Sequence, residues 1–258
     1  MLKIYLLKYR TIYATLFVIL AWYLLHLSIQ SNIIPNPIRT IIVFFQLLQE
    51  DLLLHLLVSL GRIIVSVGIA VIIGTVTGLF LGMHEKYDIF FGPVIYLLYP
   101  LPKIAFLPVF MILFGLGNTS KIVLITTIIL FQILVTTRDS VKGLSKEIFY
   151  SIRSLGATKW QVYQHVVIPA ILPKLFTALR ISVGTSISVL FFAENYATTY
   201  GIGYFIMDSW IRVDYIEMFA GIIAISLLGL FVFKMIDLLE KNSCKWALLE
   251  KNESQSLL

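Results

Sequence analysis

The amino-acid sequence predicts an all-α integral membrane protein of about six transmembrane helices, with an ordered polar insert between two of them. Three observations carry this. Apolar side chains make up 59% of the 258 residues against 13% charged, with a mean hydropathy of +0.93, which exceeds what a water-soluble core of that size could bury. The charges are confined to short segments between long apolar runs. One such segment, residues 145–173, is basic and polar yet patterned as a helix, a glycine break and a second helix.

A helix crossing a hydrocarbon core about 30 Å thick needs about 20 residues at about 1.5 Å each. In chain order the runs that meet or nearly meet this length are residues 11–29, 55–83, 89–115, 121–137, 175–192 and 215–233. The first follows Lys3, Lys8 and Arg10 as a secretory leader would, but it is long enough to span and no small-residue cleavage site follows, so it reads as a retained helix. Residues 33–51 hold Pro35, Pro37 and the short apolar stretch IIVFFQLLQ, which predicts an interfacial helix on the outer surface. In the second run Gly74, Gly78 and Gly82 recur every four residues, a spacing that permits close helix contact. Pro100, Pro102 and Pro108 break the third run near its middle, and Lys103 sits in the break. A lysine at that depth marks a pathway or a buried partner; the plainer reading is a side chain snorkelling to the surface. Glu194 and Asn195 end the fifth run, before a turn holding Gly201 and Gly203, and a solvated helix cap is the plain reading of both.

Positively charged loops stay in the cytoplasm, and this sets the orientation. With the N-terminus inside, the inner segments hold Lys3, Lys8, Arg10, Lys86, Arg138, Lys142, Lys146, Arg153, Lys159, Lys174, Lys234, Lys241, Lys245 and Lys251, while the outer ones hold only Arg39, Arg62, Lys121 and Arg212. The N-terminus, the 145–173 insert and the C-terminus then face the cytoplasm. The net charge of +6 follows from this asymmetry, without a nucleic-acid partner. Cys244 is an incidental thiol, and His55 and His165 have no companion ligands, so no metal is expected. No G-x4-G-K-[ST] phosphate loop is present, so the chain does not hydrolyse ATP by that route.

Within the insert, Ile148, Ile152 and Leu155 share one face of a helix over residues 146–155. Gly156 supplies a left-handed closing residue. Thr158 with Gln161 has the form of a capping box, which starts a second helix near Lys159 with Trp160, Tyr163 and Val167 on one side and its end limited by Pro169 and Pro173. On these grounds alone the elbow is either a surface-lying hairpin or a docking element.

The elbow resembles the EAA loop of the permease subunits of bacterial binding-protein-dependent ABC importers, E-A-A-x3-G-x9-I-x-L-P. Gly156 and Pro169 stand at its glycine and terminal proline, and Val166 and Ile168 at its aliphatic positions, while Tyr150, Ser151 and Ile152 replace the acidic residue and both alanines. The ordered segments HLLVSLGRIIVSVGIAVIIGTVTGLFLGM, YPLPKIAFLPVFMILFGLGNTSKI and ALRISVGTSISVLFFAENYATTYGIGYFI resemble core segments of the branch that imports nitrate, sulfonates, taurine and some vitamin precursors. The resemblance covers nearly all of residues 55–206 and implies the type I importer permease fold in a bacterial inner membrane. It also implies a homodimer, two ATP-binding ABC subunits that use the ATP, and an extracytoplasmic solute-binding protein, with no cofactor held by this chain. It places Arg153, Ser154, Leu155, Gly156, Ala157, Thr158, Trp160 and Pro169 at the ATPase contact, and Lys103, Glu194, Asn195, Gly201 and Gly203 at the translocation pathway or gate. The chain then divides into a first helix and outer segment (residues 1–53), a permease core (54–235) and a cytoplasmic tail (236–258). Hydropathy and Lys103 alone are also compatible with an ATP-independent transporter or channel, or with a membrane anchor.

Overall fold

The computed structural model describes residues 10–29 and 31–246, and every regular element among them is helical. Helix α1 (Arg10–Ile29) is followed by the short α2 (Pro37–Gln49). Asn36 starts α2 by accepting from the Ile38 and Arg39 amides, and Pro37 opens its first turn. Helix α3 (Leu52–Met83) is followed by α4 (Glu85–Leu98), a 3-10 turn (Lys103–Phe106) and α5 (Leu107–Phe114), then by α6 (Asn118–Lys142). The elbow consists of α7 (Lys146–Ser154) and α8 (Lys159–Val162), which runs through a π turn (Tyr163–Val167) into α9 (Ile168–Glu194). Helices α10 (Ile202–Ile211) and α11 (Tyr215–Ser243) follow.

Among the described residues five helices are long and apolar enough to cross a membrane, and the pair α4 and α5, bent by 81° at the proline break, makes a sixth crossing. The contacts require that crossing. Helices α3 and α6 run parallel, since Gly74 lies against Ile133, Gly78 against Thr137 and Gly82 against Val141. The chain between them must therefore return from one end of the bundle to the other. Close approach explains the glycines: a Cβ at Gly78 would sit 2.7 Å from both the Leu134 carbonyl oxygen and Thr137 Cβ. Ile63, Ala70, Ile125, Ile129 and Ile133 of this pair join Leu179, Val183 and Leu190 of α9 in the main core. A second cluster, with Leu52, Ile202, Phe205 and Ala220, closes the end opposite the elbow, here called the far end. At the elbow end Val141, Val162, Val167 and Ile171 form a third. Helix α1 stands at the edge, its Trp22 stacked on Phe219.

The structure departs from the sequence expectation in three places. Pro169 and Pro173 do not end the second elbow helix; Lys159–Glu194 is one apolar helical unit of 36 residues. A proline inside an α-helix lacks an N–H and clashes with the carbonyl four residues earlier. Here the wider π turn precedes Pro169, with the Ile168 N–H donating to the Tyr163 carbonyl, and the ring falls in the first turn of α9. Secondly, α11 runs on to Ser243, past residue 233 where the apolar run ends; residues 247–258 lie outside the described residues, as do Lys3 and Lys8. Thirdly, Arg62, counted above with the outer charges, lies about 15 Å along α3 from its start and is buried.

Candidate functional site

Two constellations stand at the two ends of the α8–α9 helix. At the elbow, α7 closes through the Gly156 N–H donating to the Arg153 carbonyl (3.0 Å) and the Ala157 N–H to the Ile152 carbonyl (3.4 Å). Gly156 has φ +80, which a side chain disfavours. The capping box forms: the Gln161 N–H donates to Thr158 Oγ1 (3.3 Å) and the Thr158 N–H to Gln161 Oε1 (2.8 Å). Phe149, Ile152 and Ala157 pack inward against Met83, Val141 and Val162. The face predicted as Ile148, Ile152 and Leu155 is therefore split, with Ile152 turned to the bundle and Leu155 85% exposed. Trp160 is 71% exposed.

An elbow whose apolar core is satisfied yet which presents a leucine and a tryptophan outward has a surface suited to a partner. Gly156, Ala157, Leu155 and His165 line a cleft of about 400 Å³ there, and a Cβ at Gly156 would meet nothing within 4 Å. The exposed Arg153 lines a neighbouring cleft with Lys146, and Ser154 Oγ donates to the Ser151 carbonyl (2.7 Å). Buried Asp88 anchors this end by accepting from Arg138 and from Lys142 (2.7 Å), which ties the start of α4 to α6.

At the far end, the Glu194 carboxylate is fully buried and accepts four bonds: from Arg62 Nη1 (2.5 Å), from Ser59 Oγ to its two oxygens (2.8 and 3.0 Å), and from the Gly203 N–H (2.8 Å). The start of α10 is held by side chains: the Gly201 N–H donates to His55 Nδ1 (3.0 Å) and the Ile202 N–H to Ser59 Oγ (2.8 Å). A carboxylate at a helix N-terminus also meets the positive end of its dipole. Gly201 (φ +144) and Gly203 are required sterically, since a Cβ would press into Arg62 Nη1 (2.7 Å) at the first and the Phe191 carbonyl (2.6 Å) at the second. With its amide nitrogen turned inward, Asn195 donates to the Gly203 (3.0 Å) and Phe191 (3.1 Å) carbonyls. Arg62 donates in addition to Asn118 Oδ1, from Nε (3.0 Å) and Nη2 (2.7 Å), and to Thr198 Oγ1 (3.2 Å).

Glu194, Asn195, Gly201 and Gly203 thus come together, whereas Lys103 stands apart. Its amine donates to the Leu98 (3.2 Å) and Tyr99 (2.8 Å) carbonyls and lies 4.7 Å from the centre of the Phe131 ring. It closes the end of α4 at the break, where a cation meets the freed carbonyls and the negative pole of the helix. Sequence reasoning did not single out Arg62, Ser59, His55, Asn118, Lys121 or Thr198 for this cluster. The available signal was the polar series His55, Ser59, Arg62 and Ser66, whose spacings of four, three and four place it on one face of an otherwise apolar helix.

Residues 67–243 match the family described as "Binding-protein-dependent transport system inner membrane component". The chain belongs to that family. Among similar proteins, the taurine transport system permease protein TauC of Escherichia coli is 32% identical over 74% of this chain and 70% of its own length. The putative aliphatic sulfonates transport permease protein SsuC of Bacillus subtilis is 28% identical over 84% and 79%, and the formylaminopyrimidine transport permease protein ThiX of Halalkalibacterium halodurans 27% over 93% and 97%. A chain of the inward-facing MetNI methionine ABC transporter superposes with a TM-score of 0.66 at 18% identity, covering 75% of this permease and 97% of that chain, a likeness of fold. This permease therefore belongs to the nitrate, sulfonate and taurine branch of ABC importer permeases.

Proposed function

We propose that this permease forms half of an ATP-driven import pathway for a small anionic solute of the sulfonate or taurine kind. Two copies enclose the path, two ABC ATPase subunits grip the elbows through Leu155, Gly156 and Trp160, and an extracytoplasmic binding protein delivers the solute at the far end. Both termini lie in the cytoplasm, and ATP is used by the partner subunits. One observation carries the reading: the second elbow helix and the span bearing Glu194 are a single 36-residue helical unit. A displacement imposed on the elbow is therefore delivered to the far-end cluster without an intervening joint other than the π turn. Lys103, at the break in the third crossing, is assigned to the wall of the path in addition to closing α4.

The anionic class rests on the relatives that handle sulfonates and taurine, and on the cationic character of the far-end cleft considered next. The test is uptake of radiolabelled taurine and of an aliphatic sulfonate into sealed vesicles containing the permease with its ATPase and binding protein. Uptake that requires ATP on the elbow side supports the reading; uptake at full rate without nucleotide overturns it.

A further inference from the structure

Beside the Glu194 cluster a cleft of about 600 Å³ opens at the far end, lined among others by Arg62, Gly117, Asn118, Thr198, Thr199 and Tyr200. Its charge is unbalanced. Lys121 is fully buried next to it, and its Nζ donates to three carbonyls, those of Leu116 (3.1 Å), Gly117 (3.3 Å) and Ala197 (3.4 Å). Three acceptors match the three protons of an ammonium. No carboxylate forms an ion pair with Lys121 among the described residues; Glu194, the one buried acid in the cluster, is paired with Arg62. Two cations against one carboxylate leave one net positive charge in a region shielded from water, where it is weakly screened.

Two further features add to that field. The N-terminus of α6 begins at this cleft with no side-chain cap on Gly117, so the positive end of a 25-residue helix opens into it. Ala197, in the cleft wall, has φ +46, a left-handed conformation unusual for alanine. The Ala197 carbonyl is one of the three that accept from Lys121, so the cation holds the strained connection in place. Thr199 and Tyr200 bring hydroxyl groups to the same wall, while the Thr198 hydroxyl accepts from Arg62 and donates to the Tyr200 carbonyl.

We propose that this cleft is an anion-binding vestibule, in which the charge of Lys121 and the α6 N-terminus attract a small oxyanion such as a sulfonate, and the threonine and tyrosine hydroxyls bind its oxygens. The proposal deepens the import reading, since it supplies the station at which an anionic solute first rests on the permease. It does not depend on ATP.

The test exploits that independence. Thr199→Cys, in a Cys244→Ser background and in the lipid-reconstituted complex, is labelled by an anionic and by a cationic methanethiosulfonate, each rate divided by that of the same reagent with a free thiol. The anionic reagent is expected to react about tenfold faster, and methanesulfonate to slow it where chloride at equal ionic strength does not. Lys121→Met is expected to bring the two rates close to parity. Asn118→Asp, which keeps the acceptor for Arg62 while adding a negative charge to the wall, is expected to lower the ratio several-fold and serves if Lys121→Met does not fold. Equal rates in the parent, or a bias indifferent to both substitutions, would overturn the proposal. A retained bias together with nucleotide-independent uptake would instead remove the import reading and leave the vestibule standing.

Discussion

Replacing Glu194 by glutamine tests how far the far-end cluster acts as one unit. The substitution preserves shape, removes one charge, and sets an amide NH2 among the donors Arg62 Nη1, Ser59 Oγ and the Gly203 N–H, which the carboxylate accepts at 2.5–3.0 Å. At most one side-chain oxygen remains to serve them. Breaking a buried ion pair on one side costs about 3–5 kcal/mol, because the other charge is left uncompensated. For a chain of this size that corresponds to a fall of about 6–20 °C in unfolding temperature. Arg62→Met alone removes the bonds to Asn118 and Thr198 as well, and is expected to cost at least as much. The double variant Arg62→Met with Glu194→Gln is expected to lose about 2 kcal/mol less than the sum of the singles. Thermal unfolding of the four proteins in one detergent supplies the cycle. Additivity within about 0.5 kcal/mol would show that guanidinium and carboxylate do not act together, and the reasoning from burial would be wrong.

Three further outcomes follow from the same geometry. Gly156→Asn tolerates the left-handed backbone and Gly156→Leu does not, a difference of about 1–2 kcal/mol; since no described residue comes within 4 Å of a Cβ at Gly156, both should fold, and both should lower ATP-coupled uptake by obstructing the ATPase. Wild-type uptake by Gly156→Leu would exclude a close partner there. Gly78→Leu drives a side chain into the Leu134 carbonyl and Thr137, and the parallel α3–α6 pair should lose about 1–3 kcal/mol or fail to assemble, read as reduced recovery of monodisperse protein. Lys103→Met uncaps α4 and takes a cation from the assigned path, so uptake of an anionic solute should fall at least several-fold while expression holds; unchanged uptake would remove Lys103 from the path.

Hydropathy and spacing made the bundle legible before any coordinates. The glycines at 74, 78 and 82 announced a close helix contact on α3, though not that α6 makes it, and Thr158 with Gln161 announced the start of α8, because both are local patterns with one steric or hydrogen-bonding cause. Pro169 and Pro173 misled for an equally local reason: a proline rule written for α-helix does not foresee a π turn that opens the backbone ahead of the ring. The far-end cluster was half legible. Glu194, Asn195, Gly201 and Gly203 are close in sequence and could be grouped; Arg62 reaches Glu194, Asn118 reaches Arg62, and Lys121 reaches Ala197 across separations of scores of residues. Arg62 was also weighed as a loop charge, which hid its pairing with Glu194. Leu155 shared a helical face with Ile152 on paper, but the left-handed turn at Gly156 begins beside it and leaves it in the open.

The central claim is that the α8–α9 helix carries nucleotide-driven motion from the elbow to Glu194. Gln164→Gly with His165→Gly, two exposed positions inside the π turn, would keep Val162, Val167 and Ile171 in register with Val141 and loosen only the link between the elbow and the far-end cluster. Measured side by side in proteoliposomes with the ATPase and binding protein, ATP hydrolysis should persist while uptake drops at least tenfold. Hydrolysis and uptake both at the parental rate would contradict the account.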